Sequence, residues 1–307
     1  MSDALFINEV GPRDGLQNQS AAISTSGKLE LVRALVDAGL KAIEATAFVS
    51  PKAVPQMADA ADLAALLPRD PELRFSALVP NRRGLERAAA AGFREVAVVL
   101  AATETMNRKN INQGLAEAQA SCAEVLAACQ AGGWRGKAYL AVAFGCPYEG
   151  AVARGEVMRL AAAMLGAGAA ELVFADTIGA AAPAAVEALL GEAVRRFGAA
   201  RVAVHLHDTR GLALANAWAA IRAGVRRFDS SVGGLGGCPF APGAAGNLAT
   251  EDLVLLAEQS GFSTGVDLAA LYRAVAVAER LVGRGLGGRS AQWWRGEAAR
   301  RQERAAA

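Results

Sequence analysis

The only two histidines of this 307-residue chain, His205 and His207, lie two residues apart in the segment VAVHLHDTRG. The segment begins with apolar β-formers and is predicted to be a strand, in which residues i and i+2 project from the same face. Two imidazoles directed at one point could bind a metal ion, or each could make its own structural hydrogen bond. The spacing alone leaves both interpretations open.

Further side chains that could take part in chemistry stand inside or just after other apolar runs. The interior of a sheet is normally apolar, so charged groups in these places need a reason. One cysteine lies in a glycine-rich loop, where a thiol would have little apolar cover. These residues are Arg13 and Asp14 in GPRDGLQ, Glu44 in AIEATAFV, Asp176 in ELVFADT, and Cys238 and Asn247 in GGLGGCPFAPGAAGN.

Eight apolar or β-branched runs alternate with Ala/Leu/Glu/Arg-rich segments of helical periodicity. Several helical segments end on a glycine, which is typical of a helix C-terminus; these glycines are Gly39, Gly92, Gly168 and Gly224. Eight βα units in a chain of this length predict a (β/α)8 TIM barrel with parallel strands and a short C-terminal extension, with a doubly wound open sheet as the alternative. The predicted strands cover residues 5–10, 42–49, 75–80, 95–102, 138–144, 171–177, 201–208 and 227–234.

A closed barrel would bring these polar residues to one mouth, because barrel enzymes work at the carboxyl ends of their strands. Asp14, in the loop after strand 1, would then lie beside strand 8 and close to the histidines of strand 7. Asn247 can add a carbonyl oxygen from the last loop. Two nitrogens and two oxygens leave room for substrate or water in an octahedral shell, which suits Mg²⁺ or Mn²⁺. An Fe(II) oxygenase site uses the same ligand types and remains a rival.

Composition and charge exclude several classes of partner. The net charge is +2 and the basic residues are scattered, so we expect no nucleic-acid partner. No apolar run is long enough for a membrane span, and the amino terminus leads directly into a strand. The four cysteines form no CxxC pair, which favours free thiols in a cytoplasmic protein. We expect a catalytic barrel over residues 1–285 and a basic tail over 286–307.

Seven segments carry motifs: EVGPRDGLQNQ, EATAFVSPKAVPQMAD, KNIN, FGCPYEG, ADTIG, HLHDTRGLALAN and DSSVGGLGGCPFAPGAAGNLATEDLV. Together they resemble the successive signatures of the hydroxymethylglutaryl-CoA lyase family, metal-dependent barrel lyases related to the isopropylmalate and homocitrate synthases. The resemblance runs from about Asn8 to about Gly261, and its most specific part is the glycine-rich loop with its cysteine. The related synthases resemble the chain at the RDG and HxHD segments and typically lack that loop.

The resemblance implies a retro-Claisen cleavage of 3-hydroxy-3-methylglutaryl-CoA to acetyl-CoA and acetoacetate, with an acyl-CoA thioester as the substrate. It implies that Arg13 stabilises the enolate of the departing thioester, although an arginine beside an aspartate is equally consistent with a plain ion pair. The residues that match the family's metal ligands are Asp14, His205, His207 and Asn247.

Other roles follow from the same resemblance. Cys238 is expected to donate a proton to the enolate carbon, in a loop able to close over the site. Asp176 is a candidate base for the tertiary hydroxyl or a cap for the following helix. Glu44 is expected to orient Arg13 or a metal-bound group. Gln17 and Thr177 are further candidates for substrate contact.

Departures from the family pattern leave the acyl group open. Where the family tends to read HDTYGQALAN, this chain has Arg210 and Leu212, and Ala47 stands where a serine is common. Citramalyl-CoA is therefore an alternative substrate. An Fe(II)-dependent oxygenase and a non-catalytic binding barrel are alternatives of other classes, and a homodimer is possible. Further departures are Asn18-Gln19-Ser20 in the first motif and Phe240, Pro242 and Ala245 in the glycine-rich loop.

Overall fold

The computed structural model describes residues 3–20, 22–237 and 246–306. Eight parallel strands form a closed barrel in chain order, and the first strand pairs with both the second and the eighth. The predicted (β/α)8 TIM barrel is therefore confirmed, and an open sheet is excluded. The strands are β1 (Phe6–Glu9), β2 (Ala42–Ala47), β3 (Arg74–Leu78), β4 (Glu95–Ala101), β5 (Arg135–Ala141), β6 (Glu171–Asp176), β7 (Val202–Leu206) and β8 (Arg227–Ser230).

Helices surround the ring and pack apolar side chains against it. The first helix, for example, buries Leu31, Val32 and Leu35 and exposes Glu30 and Arg33. Across the described residues, every helix is too short or too polar to cross a bilayer. The helices are α1 (Thr25–Asp37), α2 (Ala60–Leu66), α3 (Arg82–Ala90), α4 (Glu104–Ile111), α5 (Leu115–Ala131), α6 (Arg154–Gly166), α7 (Pro183–Phe197), α8 (Ala213–Arg222), α9 (Thr250–Gln259), α10 (Leu268–Val282) and α11 (Ala291–Ala306).

Glycine ends four of these helices in the way that the sequence predicts. Gly39, Gly92, Gly168 and Gly224 each follow the last helical turn with φ between 93° and 103°. Side chains are disfavoured at such angles, so glycine lets the chain turn from the helix toward the next strand.

Strands β7 and β8 are shorter than predicted, and both end where the candidate site begins. His207 has left the ladder of β7 and forms an isolated antiparallel bridge with Asn247. After β8 the chain turns through Val232–Gly234, where Gly233 has φ +64°. The polar ends of these two strands therefore belong to loops at the mouth.

Charged side chains close the amino-terminal end of the barrel. Glu95 pairs with Arg74 at 2.8 Å and with Lys137 at 2.9 Å, and Glu171 pairs with Arg227 at 2.7 Å. Lys137 is only 2% exposed, and its burial is tolerated because the charge is paired. All of these residues except Glu95 also border a cavity of about 330 Å³ at this end, opposite the candidate site.

The segment before α11 is attached to the barrel through Asp252. The carboxylate of Asp252 accepts hydrogen bonds from the backbone N–H groups of Arg289 and Ser290 at 2.6 and 2.9 Å. In α11 itself, Trp294 stacks on Tyr272 with ring centroids 4.6 Å apart. The division of the chain at residue 285 stays a prediction.

Candidate metal centre and active site

Arg13 and Asp14 are positioned by a π-helical turn, Gly11–Gly15, directly after β1. The backbone N–H groups of residues 13, 14 and 15 all converge on the carbonyl oxygen of Val10, at 3.1, 2.7 and 3.2 Å. Such turns are common at functional sites because they redirect side chains within a few residues. Here both side chains are placed at the carboxyl-terminal mouth of the barrel.

His205 and His207 project from the same face at the end of β7, and each has a hydrogen-bond partner behind its ring. Nδ1 of His207 lies 2.9 Å from the backbone oxygen of Asp176, and Nδ1 of His205 lies 3.1 Å from Oδ2 of Asp229. A carbonyl oxygen only accepts, so Nδ1 of His207 carries the proton and its Nε2 keeps a lone pair. Partners of this kind orient metal-binding imidazoles in proteins.

Asp14, His205 and His207 each offer one ligand atom, and these atoms all lie within 4.8 Å of one another. Asn247 adjoins them, since its Nδ2 donates to Asp14 Oδ2 at 2.8 Å and to the Leu235 carbonyl at 2.9 Å. Its Oδ1 is buried and has no hydrogen-bond partner among the described residues. A buried polar atom without a partner is unfavourable. Two imidazole nitrogens, a carboxylate and this free oxygen together fit a divalent cation.

The electrostatics at Asp14 and His207 favour the protonation states that bind metal, whereas at His205 burial lowers the pKa but the hydrogen bond and the charge of Asp229 raise it above its usual value. Burial raises the pKa of Asp14, but the charges of Arg13 and the two histidines outweigh this and hold that pKa at about 2. Burial lowers the pKa of His207 to about 4, helped by the neighbouring His205. At neutral pH, Asp14 is therefore ionised and His207 is neutral, as metal ligands must be.

Arg13 is held between two carboxylates. Its Nη1 donates to Asp14 Oδ1 at 2.6 Å, and its Nε donates to Glu44 Oε1. Burial would lower the pKa of Arg13, but the charges of Glu44 and Asp14 raise it above its usual value. In the described part of the chain nothing forms a hydrogen bond with Nη2. Arg13 is thus a fixed cation with one donor group left for a ligand.

The remaining predicted residues are divided between the cluster and the loop after β6. Gln17 Nε2 donates to Asp14 Oδ1 at 3.1 Å. Thr177 Oγ1 accepts from the backbone N–H of Val142 at 2.8 Å. The Asp176 carboxylate accepts from the N–H groups of residues 180 and 181, and burial raises its pKa to about 6 against the effect of those hydrogen bonds. In this geometry Asp176 binds the turn that leads into α7.

Two buried glutamates hold the base of the glycine-rich loop. Glu9 accepts from the N–H groups of Gly11 and Val232 at 2.7 and 2.9 Å. Glu251 accepts from the N–H groups of Gly233 and Gly288 at 3.0 and 2.6 Å. Burial raises the pKa of each glutamate to about 7, although these hydrogen bonds lower it. The expected proton donor of this loop, Cys238, lies outside the described residues.

Sequence reasoning missed two residues beneath the cluster, Asp229 and Tyr139. The Tyr139 hydroxyl donates to Asp229 Oδ2 at 2.5 Å and lies 3.2 Å from Glu44 Oε2. A signal was available, because each is a polar side chain inside a predicted strand. Its meaning depends on the register of the barrel, in which Asp229 is the direct partner of His205.

Fold and site together define a (β/α)8-barrel protein with a candidate divalent-metal centre at its carboxyl-terminal mouth. The chain belongs to the HMGL-like family, whose model matches residues 4–278. The family resemblance expected from the motifs is therefore confirmed.

The alignments with known relatives span most of this chain. It is 46% identical to hydroxymethylglutaryl-CoA lyase YngG of Bacillus subtilis over 286 residues, which is 93% of this chain and 96% of the relative. It is also 46% identical to hydroxymethylglutaryl-CoA lyase of Pseudomonas mevalonii over 268 residues, 87% and 89% of the two chains. A solved HMG-CoA lyase from Acinetobacter baumannii, in complex with coenzyme A and 3-methylmalate, has a TM-score of 0.91 and 38% identity, with 95% of each chain covered.

Proposed function

We propose that this protein is a carbon–carbon lyase that cleaves 3-hydroxy-3-methylglutaryl-CoA to acetyl-CoA and acetoacetate. The observation that carries the proposal is that the Asp14 carboxylate lies close to His205 and His207, beside Oδ1 of Asn247, which accepts no hydrogen bond from the described residues. The names of the relatives, and the coenzyme A bound to one of them, supply the substrate class.

A divalent cation, Mg²⁺ or Mn²⁺, would be held by Asp14, His205, His207 and Asn247. When bound, it supplies Lewis acidity that lowers the pKa of a hydroxyl group close to it. The oxygen-rich and nitrogen-containing ligand set favours these ions over zinc, which prefers closed tetrahedral or thiolate sites.

The protein's own residues transfer the protons and stabilise the negative charge of the enolate. Asp176 takes the proton of the substrate's tertiary hydroxyl, directly or through a water molecule. The bond between C2 and C3 breaks, C3 becomes the ketone carbon of acetoacetate, and the electron pair passes to the thioester enolate. Arg13, fixed by Glu44, donates to the enolate oxygen. The thiol of Cys238 finally protonates the enolate carbon, which gives acetyl-CoA.

Substrate contacts are proposed for Arg13, Gln17 and Thr177, which border the mouth. Arg210, one of the departures from the family pattern, contacts the loop after β6, because its Nε donates to the carbonyl oxygen of Gly179 at 2.7 Å. A change in that loop could alter the acyl group that is accepted, so the substrate test includes citramalyl-CoA.

The test is a product assay on protein first freed of divalent ions with a chelator. We expect acetoacetate release from 3-hydroxy-3-methylglutaryl-CoA only after Mg²⁺ or Mn²⁺ is restored, and in the absence of dioxygen, which an Fe(II) oxygenase requires. Asp14→Asn should abolish this activity. Asp3→Asn, at an exposed aspartate paired with Arg226, is the matched control and should retain it. Release of pyruvate from citramalyl-CoA alone would reassign the acyl substrate, and full activity in chelator would refute the metal site.

Three wider expectations accompany this proposal. The free thiols favour a cytoplasmic location, and a homodimer would be consistent with the barrel architecture. The products acetyl-CoA and acetoacetate would suit a step in leucine degradation or ketone-body formation.

A further inference from the structure

Asp229 lies directly behind the candidate metal centre. It is a residue of β8, 2% exposed, and its register partner on β7 is His205. Its Oδ2 accepts from His205 Nδ1 at 3.1 Å and from the Tyr139 hydroxyl at 2.5 Å, while its Oδ1 accepts from Asn8 Nδ2 at 2.8 Å. Three donors from three other strands therefore converge on one carboxylate.

We propose that Asp229 is a positioning residue for the metal centre, because it keeps the proton of His205 on Nδ1 and leaves Nε2 as the metal ligand. An ionised carboxylate has no proton to give, so the ring nitrogen facing it must be the donor. In the neutral ring the other nitrogen then carries a lone pair directed toward Asp14 and His207. The inference rests on the metal site of the proposed function.

The carboxylate is held in place from both sides of the barrel axis. Asn8 donates to Oδ1 and Tyr139 donates to Oδ2, so rotation of Asp229 away from His205 would break both hydrogen bonds and remove the acceptor of the buried Asn8 amide. Burial raises the pKa of Asp229, but the hydrogen bond and charge of His205 and the charge of the buried Lys137 outweigh this and hold that pKa below its usual value. Asp229 can thus remain ionised beneath the site, where an isolated carboxylate would be unfavourable.

The two histidines are supported differently, and this difference makes the inference specific. His207 is backed by a main-chain oxygen, which no side-chain substitution removes. His205 is backed by a side chain that also contacts Tyr139, and Tyr139 in turn reaches Glu44 and so Arg13. Asp229 therefore lies in a continuous hydrogen-bond chain that connects the ligand His205 with Arg13, the group proposed to stabilise the enolate.

The experiment uses Asp229→Asn, which keeps the shape of the side chain and replaces one oxygen with an NH₂ group. Asn8 donates to Oδ1, so the amide oxygen stays toward Asn8 and the NH₂ group takes the place of Oδ2. It then faces His205 and Tyr139, and the Tyr139 hydroxyl can donate to Glu44 Oε2 instead. His205 must then accept at Nδ1 and carry its proton on Nε2, where it cannot bind metal. We expect Mn²⁺ affinity, measured by calorimetry on metal-free protein, to fall by about 10- to 100-fold, the range typical of such partners.

A second readout needs neither metal nor activity. Because the chain contains only two histidines, ¹⁵N-histidine labelling yields two rings whose nitrogen shifts report the tautomers directly. In the wild type at pH 8 both rings should carry the proton on Nδ1, and in Asp229→Asn only His205 should change. Glu171→Gln is the matched control, since this buried carboxylate is bound to Arg227 at the opposite end of the barrel. It should keep the wild-type tautomers and Mn²⁺ affinity.

The outcomes separate this inference from the proposed function. Wild-type protein that binds no Mn²⁺ would refute the metal site, while the tautomer measurement would still decide the role of Asp229. Unchanged tautomers and affinity in Asp229→Asn would overturn the inference alone. If that variant does not fold, the wild-type spectrum decides, because an Nε2 proton on His205 is incompatible with the proposed role.

Discussion

Replacing Arg13 with glutamine tests whether Arg13 stabilises the charge of the enolate or only forms ion pairs with Asp14 and Glu44. Arg13 is 5% exposed, and its guanidinium is bound by Glu44 and Asp14 and has one donor group left for a ligand. Glutamine retains hydrogen-bonding capacity but carries no charge and is too short to reach both carboxylates and a substrate. We therefore expect the loss of one donor to the enolate oxygen and of the cation that pairs with both acids.

The size of the effect follows from these contacts. Removal of one donor to a developing oxyanion raises the barrier by roughly 2.7 to 4 kcal/mol, which is about a 100- to 1000-fold fall in kcat. The ground-state substrate lacks the enolate charge, so KM should change much less. Loss of a buried ion-pair partner also destabilises a fold by roughly 3 to 5 kcal/mol, and stability must be followed in parallel.

The assay is steady-state acetoacetate release, with urea unfolding of the same samples. Arg227→Gln is the matched control, because it breaks another largely buried arginine–glutamate pair, with Glu171, far from the mouth. It should lose stability and keep kcat. The reasoning would be refuted if Arg13→Gln lowered kcat no more than this control, or raised KM with kcat unchanged.

Three further predictions concern the metal, the thiol and pH. His207→Ala should abolish Mn²⁺ binding in calorimetry while the circular dichroism spectrum stays that of a folded barrel; retained binding would exclude His207 as a ligand. Cys238→Ser should lower kcat by about 100- to 10,000-fold with Mn²⁺ affinity kept, and full activity after stoichiometric alkylation of Cys238 would contradict its role. The raised pKa of Glu251, about 7, means that the native state binds more protons than the unfolded chain above pH 4.5. The contribution of Glu251 to the free energy of unfolding should therefore fall as pH rises from about 4.5 through 7. Relative to Glu251→Gln, the wild type should lose stability in urea across that range, and an identical pH dependence in the two proteins would contradict the reasoning.

The barrel could be predicted from the sequence because its signals are local. Apolar runs, helical periodicity and terminal glycines such as Gly39 each depend on a few neighbouring residues. The closing pair β1–β8 followed from the count of units, since eight βα repeats close a ring. Strand ends were less predictable, because the bridge between His207 and Asn247 joins segments 40 residues apart.

The candidate site was predictable only in part, for a similar reason. The HxH spacing and the position of these residues at the mouth of the barrel were enough to predict that Asp14 and the histidines lie together. Their roles stay predictions. Asp229 and Tyr139 required the register between neighbouring strands, which no local pattern encodes. The ion pairs of Glu95 and Glu171 were missed because buried charges run against the expectation of an apolar interior.

The hydrogen bond between Asp14 and Asn247 joins residues 233 positions apart, and Asn8 meets Asp229 across 221. Bringing such distant segments of a flexible chain together costs on the order of 5 kcal/mol in loop-closure entropy. During synthesis the cluster cannot assemble until β8 and the loop after it have been made. A cation that binds there would also stabilise the pairing of β1 with β8, the seam at which the barrel closes. Amide hydrogen exchange along that seam should consequently slow when Mn²⁺ is added, more than exchange between β3 and β4 on the far side of the barrel.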